Sequence, residues 1–152
     1  MHRIAVVLLL CWALPSAWAA DISVVGNWTE LVDQNDLVAG AGSDLRSPIE
    51  SAAAQATLDI SATAGGNWTV KVSKSDLHWP AGVSFAVRRT SDGSGSGGIS
   101  GGTTYLALSG TEQVLFSGSG DRSGIQLQLK TEGLAVGAAP DNYSTTISYR
   151  VE

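Results

Sequence analysis

The chain has 152 residues, of which 9 are Lys or Arg and 14 are Asp or Glu, giving a formal net charge of −5. An acidic balance argues against nucleic acids and anionic membranes as partners, because both carry negative charge themselves. No apolar run reaches the roughly 20 residues that a membrane-spanning helix needs, so the sequence predicts no membrane insertion.

A cleaved secretory signal is predicted at residues 1–19. A positively charged start is followed by an uncharged apolar run at 4–14, and Ala17-Trp18-Ala19 offers the small-x-small pattern that signal peptidase accepts. Cleavage after Ala19 would leave one domain at 20–152 and remove Cys11, the only cysteine. We therefore expect a cysteine-free bacterial protein secreted to the periplasm or the cell surface.

An N-terminal strand is predicted within residues 21–32. Its first part, Asp21 to Val25, is apolar at alternating positions and has no proline and only one charge, so it resembles an edge strand that can pair with another chain. Ile22, Val24 and Val25 are the candidate residues of this assembly strand. Two interpretations stay open, because the strand can pair within its own sheet or with a neighbouring subunit.

A short helix or a loop is predicted next. Ser47-Pro48-Ile49-Glu50 has the spacing of a capping box, with proline at the first helical position, and an alanine-rich stretch follows. One or two helical turns are one prediction. A connecting loop into the next strand is the alternative.

Most of the remaining chain alternates apolar and polar residues with a period of two, which is typical of half-buried antiparallel strands. The runs at 56–62 and 67–73 flank the turn signal Ala64-Gly65-Gly66, which predicts a hairpin. The final run is 143–151. We predict an all-β fold, an antiparallel immunoglobulin-like sandwich of roughly eight strands. The segment 90–102, rich in Gly and Ser, is predicted to be a mobile loop between two strands.

Groups that carry chemistry are scarce. His78 is the only histidine of residues 20–152, whereas transition-metal sites normally need several His or Cys ligands. A Ser-His-Asp triad would have to use His78. Asp33, Asp36 and Asp44 cluster in turn contexts, where Asp side chains bond the local backbone. The sequence predicts no enzyme, no cofactor and no metal site, with calcium left open.

Trp79 is the candidate ligand platform, with His78 beside it. Trp79 precedes Pro80 in a predicted turn, where an exposed indole can stack on a sugar ring. The alternative is that Trp79 caps one end of the core. Trp68 alternates with apolar residues and is predicted to be buried. Trp28 occupies the same place in a repeated Gly-Asn-Trp-Thr tetrapeptide and receives the same prediction.

The plan of the chain resembles secreted bacterial pilin-like sandwiches, especially spore coat protein U-like domains and archaic chaperone–usher pilus subunits. A signal peptide, an extended segment beginning Asp21-Ile22-Ser23-Val24-Val25 and a C-terminal strand at 143–151 carry this resemblance. Those families commonly carry a disulfide, which residues 20–152 lack. The resemblance implies a surface structural or assembly protein that joins other subunits, including copies of itself, by β-strand addition. An extracellular carbohydrate- or protein-binding module is the alternative.

Overall fold

The structure, a computed structural model, describes residues 20–138 and 141–152. The predicted secretory signal lies outside the described residues. In the described part of the chain there are eleven strands and one 3-10 helix, and no helix there is long and apolar enough to cross a bilayer. The strands are β1 (Asp21–Val25), β2 (Ile49–Glu50), β3 (Ala56–Ser61), β4 (Asn67–His78), β5 (Ser84–Arg89), β6 (Ser94–Gly95), β7 (Ile99–Ser100), β8 (Leu106–Ala107), β9 (Gln113–Ser119), β10 (Arg122–Glu132) and β11 (Ser144–Val151).

The strands form two antiparallel sheets. The first has the order β1-β3-β10-β5-β8, with β2 and β6 pairing elsewhere along β10, and the second has the order β11-β4-β9-β7. The all-β prediction is therefore confirmed. Seven of the eleven described strands have five or more residues and the other four have two, where the sequence suggested about eight strands in all.

One hydrophobic core contains residues from both sheets. The period-two alternation puts Leu58, Ile60 and Leu127 of the first sheet in this core together with Val70 and Phe116 of the second, each at most 1% exposed. On β11 the alternation also holds, and its inward residues pack on the same core. These inward residues of β11 are Ile147, Tyr149 and Val151. Apolar burial on one face of each strand is thus what holds the two sheets together.

The hairpin predicted from the runs at 56–62 and 67–73 is wrong. The first run forms β3 of the first sheet, and the second opens β4 of the second sheet, so the strands do not pair. Ala62 and Ala64 both have positive φ in the connection, which turns the chain across the core. Alternation identifies the face that each strand buries, and two strands that bury their faces in one core can lie on opposite sides of it.

Each later connection between long strands also crosses the core. The chain passes from β4 to β5, β9, β10 and β11, and each step moves to the other sheet. Of the consecutive long strands in the described part of the chain, only β1 and β3 pair with each other. The two sheets are therefore joined repeatedly by the backbone as well as by the core.

Residues 47–55 contain no α-helix. Ser47 and Pro48 lead directly into β2, which pairs with β10, so the connecting-loop alternative describes the segment better. The single described 3-10 helix, Gln34–Asp36, lies upstream and was not predicted. Its capping box is formed by Asp33 and Asp36, whose carboxylates accept bonds from nearby backbone amides.

The Gly- and Ser-rich segment 90–102, predicted to be a mobile loop, contains two short strands, one paired with each sheet. Its β6 joins β10 of the first sheet, and its β7 joins β9 of the second. The Arg122 guanidinium donates to the backbone carbonyls of Asp92 and Gly97, and Arg89 donates to Gly101. Because glycine lets these backbones approach closely, the segment clasps one end of the sandwich.

An ion-pair network lies on the outer face of the second sheet. Arg150 on β11 donates to both carboxylate oxygens of Glu112, at 2.9 and 2.6 Å, and also pairs with Glu152, which Lys71 contacts as well. Arg150 lowers the pKa of Glu112, and Lys71 lowers that of Glu152. The network therefore favours the ionised carboxylates.

Acid is expected to weaken this network. A lowered carboxylate pKa contributes stability above the unfolded pKa, and the contribution is lost as the pH falls through the folded pKa. The groups are exposed, so the effect should be small and should shrink further in high salt. We expect the loss of melting temperature between pH 7 and about pH 3 to be smaller for Glu112→Gln than for the parent. An identical loss in both proteins would contradict the prediction.

Candidate functional site

β1, the predicted assembly strand, is an edge strand of the first sheet. It pairs with β3, with Ile22 opposite Ile60 and Val24 opposite Leu58. Because these partners are buried in the core, Ile22 and Val24 face inward, yet Val24 is 38% exposed. Val25 faces the other way and is 70% exposed. The candidate residues therefore lie in their own sheet here, on a strand whose apolar side chains are incompletely covered.

The segment 26–48, which we call the tether, joins β1 to β2. It consists of irregular chain, the 3-10 helix and one isolated bridge between Leu37 and Leu45. None of its residues is buried, and Leu31 and Val38 are 81% and 63% exposed. Loops of this length without regular structure are uncommon inside compact domains and usually have a function or act as linkers.

Few contacts attach the tether to the sandwich near β1. Trp28 packs against Phe85 with ring centroids 5.9 Å apart, and the Gln55 side chain donates to the carbonyl of Asn27. From Thr29 to Arg46, the described hydrogen bonds stay within the tether. The tether therefore adds little to the fixation of β1 beyond its first residues.

Trp79, the candidate ligand platform, is half-buried at one end of the core. Its ring packs edge-to-face against Phe85 at 5.5 Å between centroids, and its Nε1 donates to the carbonyl of Val83 at 2.8 Å. Lys74 lies over the same ring, 5.8 Å from its centroid. These contacts match the alternative in which Trp79 caps the core, and its role as a sugar platform stays a prediction.

His78 lies at the end of β4, where β11 begins. Its Nε2 is 3.0 Å from Asp141, and its ring stacks on Tyr143 at 5.4 Å between centroids. The Asn142 amide, followed by His78, lowers the pKa of Asp141. The His–Asp pair is more than half exposed and joins neighbouring strand ends, so its geometry is that of a surface contact.

The two Gly-Asn-Trp-Thr copies adopt different structures. Trp68 lies in β4, is 2% exposed and donates from Nε1 to the carbonyl of Gly120, as expected for a core residue. Trp28 lies in the tether outside any strand and is only half-buried, and its Nε1 donates to Glu30. The prediction of a buried Trp is therefore confirmed for Trp68, whereas Trp28 is only partly buried and lies outside any strand.

A cluster around Tyr105 was missed in the sequence. Arg88 and Lys130 both lie over the Tyr105 ring, 4.6 and 4.5 Å from its centroid. Burial, and after it the charge of Glu50, raises the pKa of Tyr105. The stacked cations hold the segment before β8 against the outer face of the first sheet. No local pattern announces this cluster, since its members come from separate parts of the chain.

Asp33, Asp36 and Asp44, the clustered acids, make local turn contacts, and Asp121 is held by a residue distant in sequence. Asp33 and Asp36 cap the 3-10 helix, and the Asp44 carboxylate accepts from the amide of Leu45 at 2.9 Å. Asp121 accepts from both the amide and the hydroxyl of Thr63, which lowers its pKa. Among the described residues, no group of three or more His, Cys, Asp or Glu side chains is placed to hold a metal ion.

Comparisons with known proteins leave the family open. No family model, curated protein or solved structure matches the chain. The edge strand β1 and its tether are therefore the features from which a function can be argued.

Proposed function

We propose that the chain is a secreted, non-enzymatic structural or assembly protein of the cell surface. It is a pilin-like subunit that joins other subunits by β-strand addition. The observation that carries the proposal is β1, an edge strand with exposed valines that is connected to the sandwich by an exposed tether of 23 residues. Unpaired strand edges recruit other chains, and monomeric proteins normally shorten, charge or cover them.

We infer further that the sandwich is immunoglobulin-like. If β9 is set aside and β1, β3, β4, β5, β10 and β11 are lettered A to F, the first sheet has the order A-B-E-D, and C lies beside F. Both arrangements occur in constant-type immunoglobulin domains, where a strand G pairs with F. β9, which follows D in the chain and pairs with the other side of C, is an additional strand in this lettering. Among the described residues no strand pairs with the outer edge of β11, the position of G. This order supports a sandwich with an edge available for strand addition.

Assembly and its dependence on β1 can be tested on the exported protein. We expect intact mass to show a chain beginning at or near Ala20 and light scattering to show multiples of the subunit mass. Deletion of residues 20–25 should abolish defined oligomers, because it removes the strand that is donated, whereas Ser23→Asp on the exposed face keeps the strand and is the control.

Two results would contradict the proposal. One is a strictly monomeric protein at high concentration, including after extraction from the cell surface. The other is unchanged assembly of the protein that lacks residues 20–25, which would show that subunits associate without β1.

A further inference from the structure

We infer that the partner of β1 is a second copy of this chain, in which β1 takes the place that the resident β1 vacates beside β3. The inference rests on the proposed function, since it names the acceptor for the exchanged strand. The position beside β3, which we call the seat, is thus occupied by the subunit's own β1 in the free protein and by a neighbour's β1 in the assembly.

The fit of β1 to β3 is visible within one molecule. All five residues of β1 pair with β3, from Asp21 opposite Ser61 to Val25 opposite Thr57. A second copy presents the same β3, so a swapped β1 makes the same backbone bonds and the same contacts over Leu58 and Ile60. No new complementarity is required.

The alternative acceptor is the edge of β11, and core burial argues against it. Leu58 and Ile60, which pair with β1, are 0% and 1% exposed, and Ile22 of β1 packs against the same core. A subunit that gave its β1 to a neighbour's β11 would lose Ile22 from this core and leave the edge of β3 unpaired unless another β1 replaced it. When two subunits exchange β1, each β3 regains a β1, so every contact that is broken is made again. Donation to β11 covers the edge of one β11 but leaves the edge of one β3 without its partner.

The tether is long enough for β1 to reach a neighbouring subunit. Fully extended, its 23 residues could span about 75–80 Å, more than the width of a small domain. None of these residues is buried, so unfolding the tether removes no side chain from the core. The anchors near β1 are the Trp28 contact with Phe85 and the Gln55 bond to Asn27. β1 can therefore leave while the rest of the sandwich stays folded.

Cysteines placed in two separate chains distinguish the seats. Val25→Cys is made in one chain and Thr57→Cys in a second, differently tagged chain, because these residues lie opposite each other. Removal of residues 1–19, checked by mass, also removes Cys11. The chains are mixed, refolded together, concentrated and oxidised. If β1 exchanges onto β3, random mixing should place both cysteines at about one seat in four, giving a disulfide-linked heterodimer on a non-reducing gel.

Each outcome decides a different point. If light scattering shows assembly but no disulfide-linked heterodimer forms, the exchange onto β3 is overturned and the proposed function still stands. A heterodimer from Val25→Cys and Ser148→Cys chains instead would assign the seat to β11. A monomeric mixture would contradict both proposals. As a control, a single chain carrying Val25→Cys and Thr57→Cys, oxidised when dilute, should stay monomeric, and its assembly after locking would also overturn the exchange.

Discussion

Replacing Trp68 with alanine is expected to lower the free energy of unfolding by about 3–5 kcal/mol, the range found for large aromatic residues in protein cores. The side chain is 2% exposed and packs edge-to-face on Phe116, with centroids 6.1 Å apart. Its Nε1 donates to the buried carbonyl of Gly120 at 2.8 Å. Truncation would therefore open a cavity and leave a buried acceptor without its donor.

The surrounding backbone has little freedom to fill that cavity. A Cβ at Gly118 would lie 2.5 Å from the Trp68 ring, which shows how closely β9 approaches the indole. Urea denaturation followed by circular dichroism would measure the loss. Trp79→Ala is the matched control, since Trp79 is only partly buried. A loss for Trp68→Ala no larger than that of the control would contradict the core assignment.

Gly97→Ala is expected to destabilise the protein by about 2–5 kcal/mol, while Gly98→Ala next to it should have little effect. Gly97 has φ of +83°, where a side chain costs about 1–2 kcal/mol. Its new methyl group would overlap the carbonyl oxygen of Ser119, and such overpacking typically costs about 1–3 kcal/mol more. A Cβ at Gly98 meets no atom within 4 Å.

This pair of variants tests whether the clasp formed by 90–102 contributes to stability. Thermal denaturation of both proteins provides the comparison. If the segment were a loose loop, the two substitutions would have equally small effects, because a mobile chain would avoid the overlap. Equal melting temperatures would therefore restore the original prediction from the sequence.

The face that each strand buries could be predicted from the sequence, but its sheet could not. Alternation correctly identified Leu58 and Ile60 on β3, and Trp68 and Val70 on β4, as inward residues. It wrongly suggested that β3 and β4 pair, because local periodicity reports burial and carries no information about the partner strand. The chain crosses from one sheet to the other between β3 and β4 because both strands bury a face in the same core.

The Gly- and Ser-rich clasp shows a second limit. Composition predicted mobility, since glycine has high chain entropy and buries no side chain. The structure uses these residues because they lack side chains, and Arg89 and Arg122 supply the bonds that fix the segment. Both arginines are distant in sequence from some of the carbonyls that they contact, so only the fold brings them together.

For the candidate site, the sequence identified β1 and missed the tether. Ile22, Val24 and Val25 were selected from a local pattern, and their strand lies at a sheet edge. The tether was obscured because residues 26–32 resembled strand continuation and 47–50 resembled a helix start. Trp79 was selected as exposed, but Phe85, a residue of the next strand, covers one side of its ring.

The repeated crossing of the core between β3 and β11 has a consequence for how the protein opens. Separating the two sheets would require the clasp and each crossing connection to move together, so neither sheet can open alone. Amide hydrogens in β4, β9 and β10 should therefore exchange with solvent as one cooperative block, at the free energy of global unfolding. Amides of β1 should exchange sooner, because that strand lies outside the crossing part of the chain. Since most pairings join residues far apart in sequence, the block should also fold slowly, in the millisecond-to-second range typical of sandwiches.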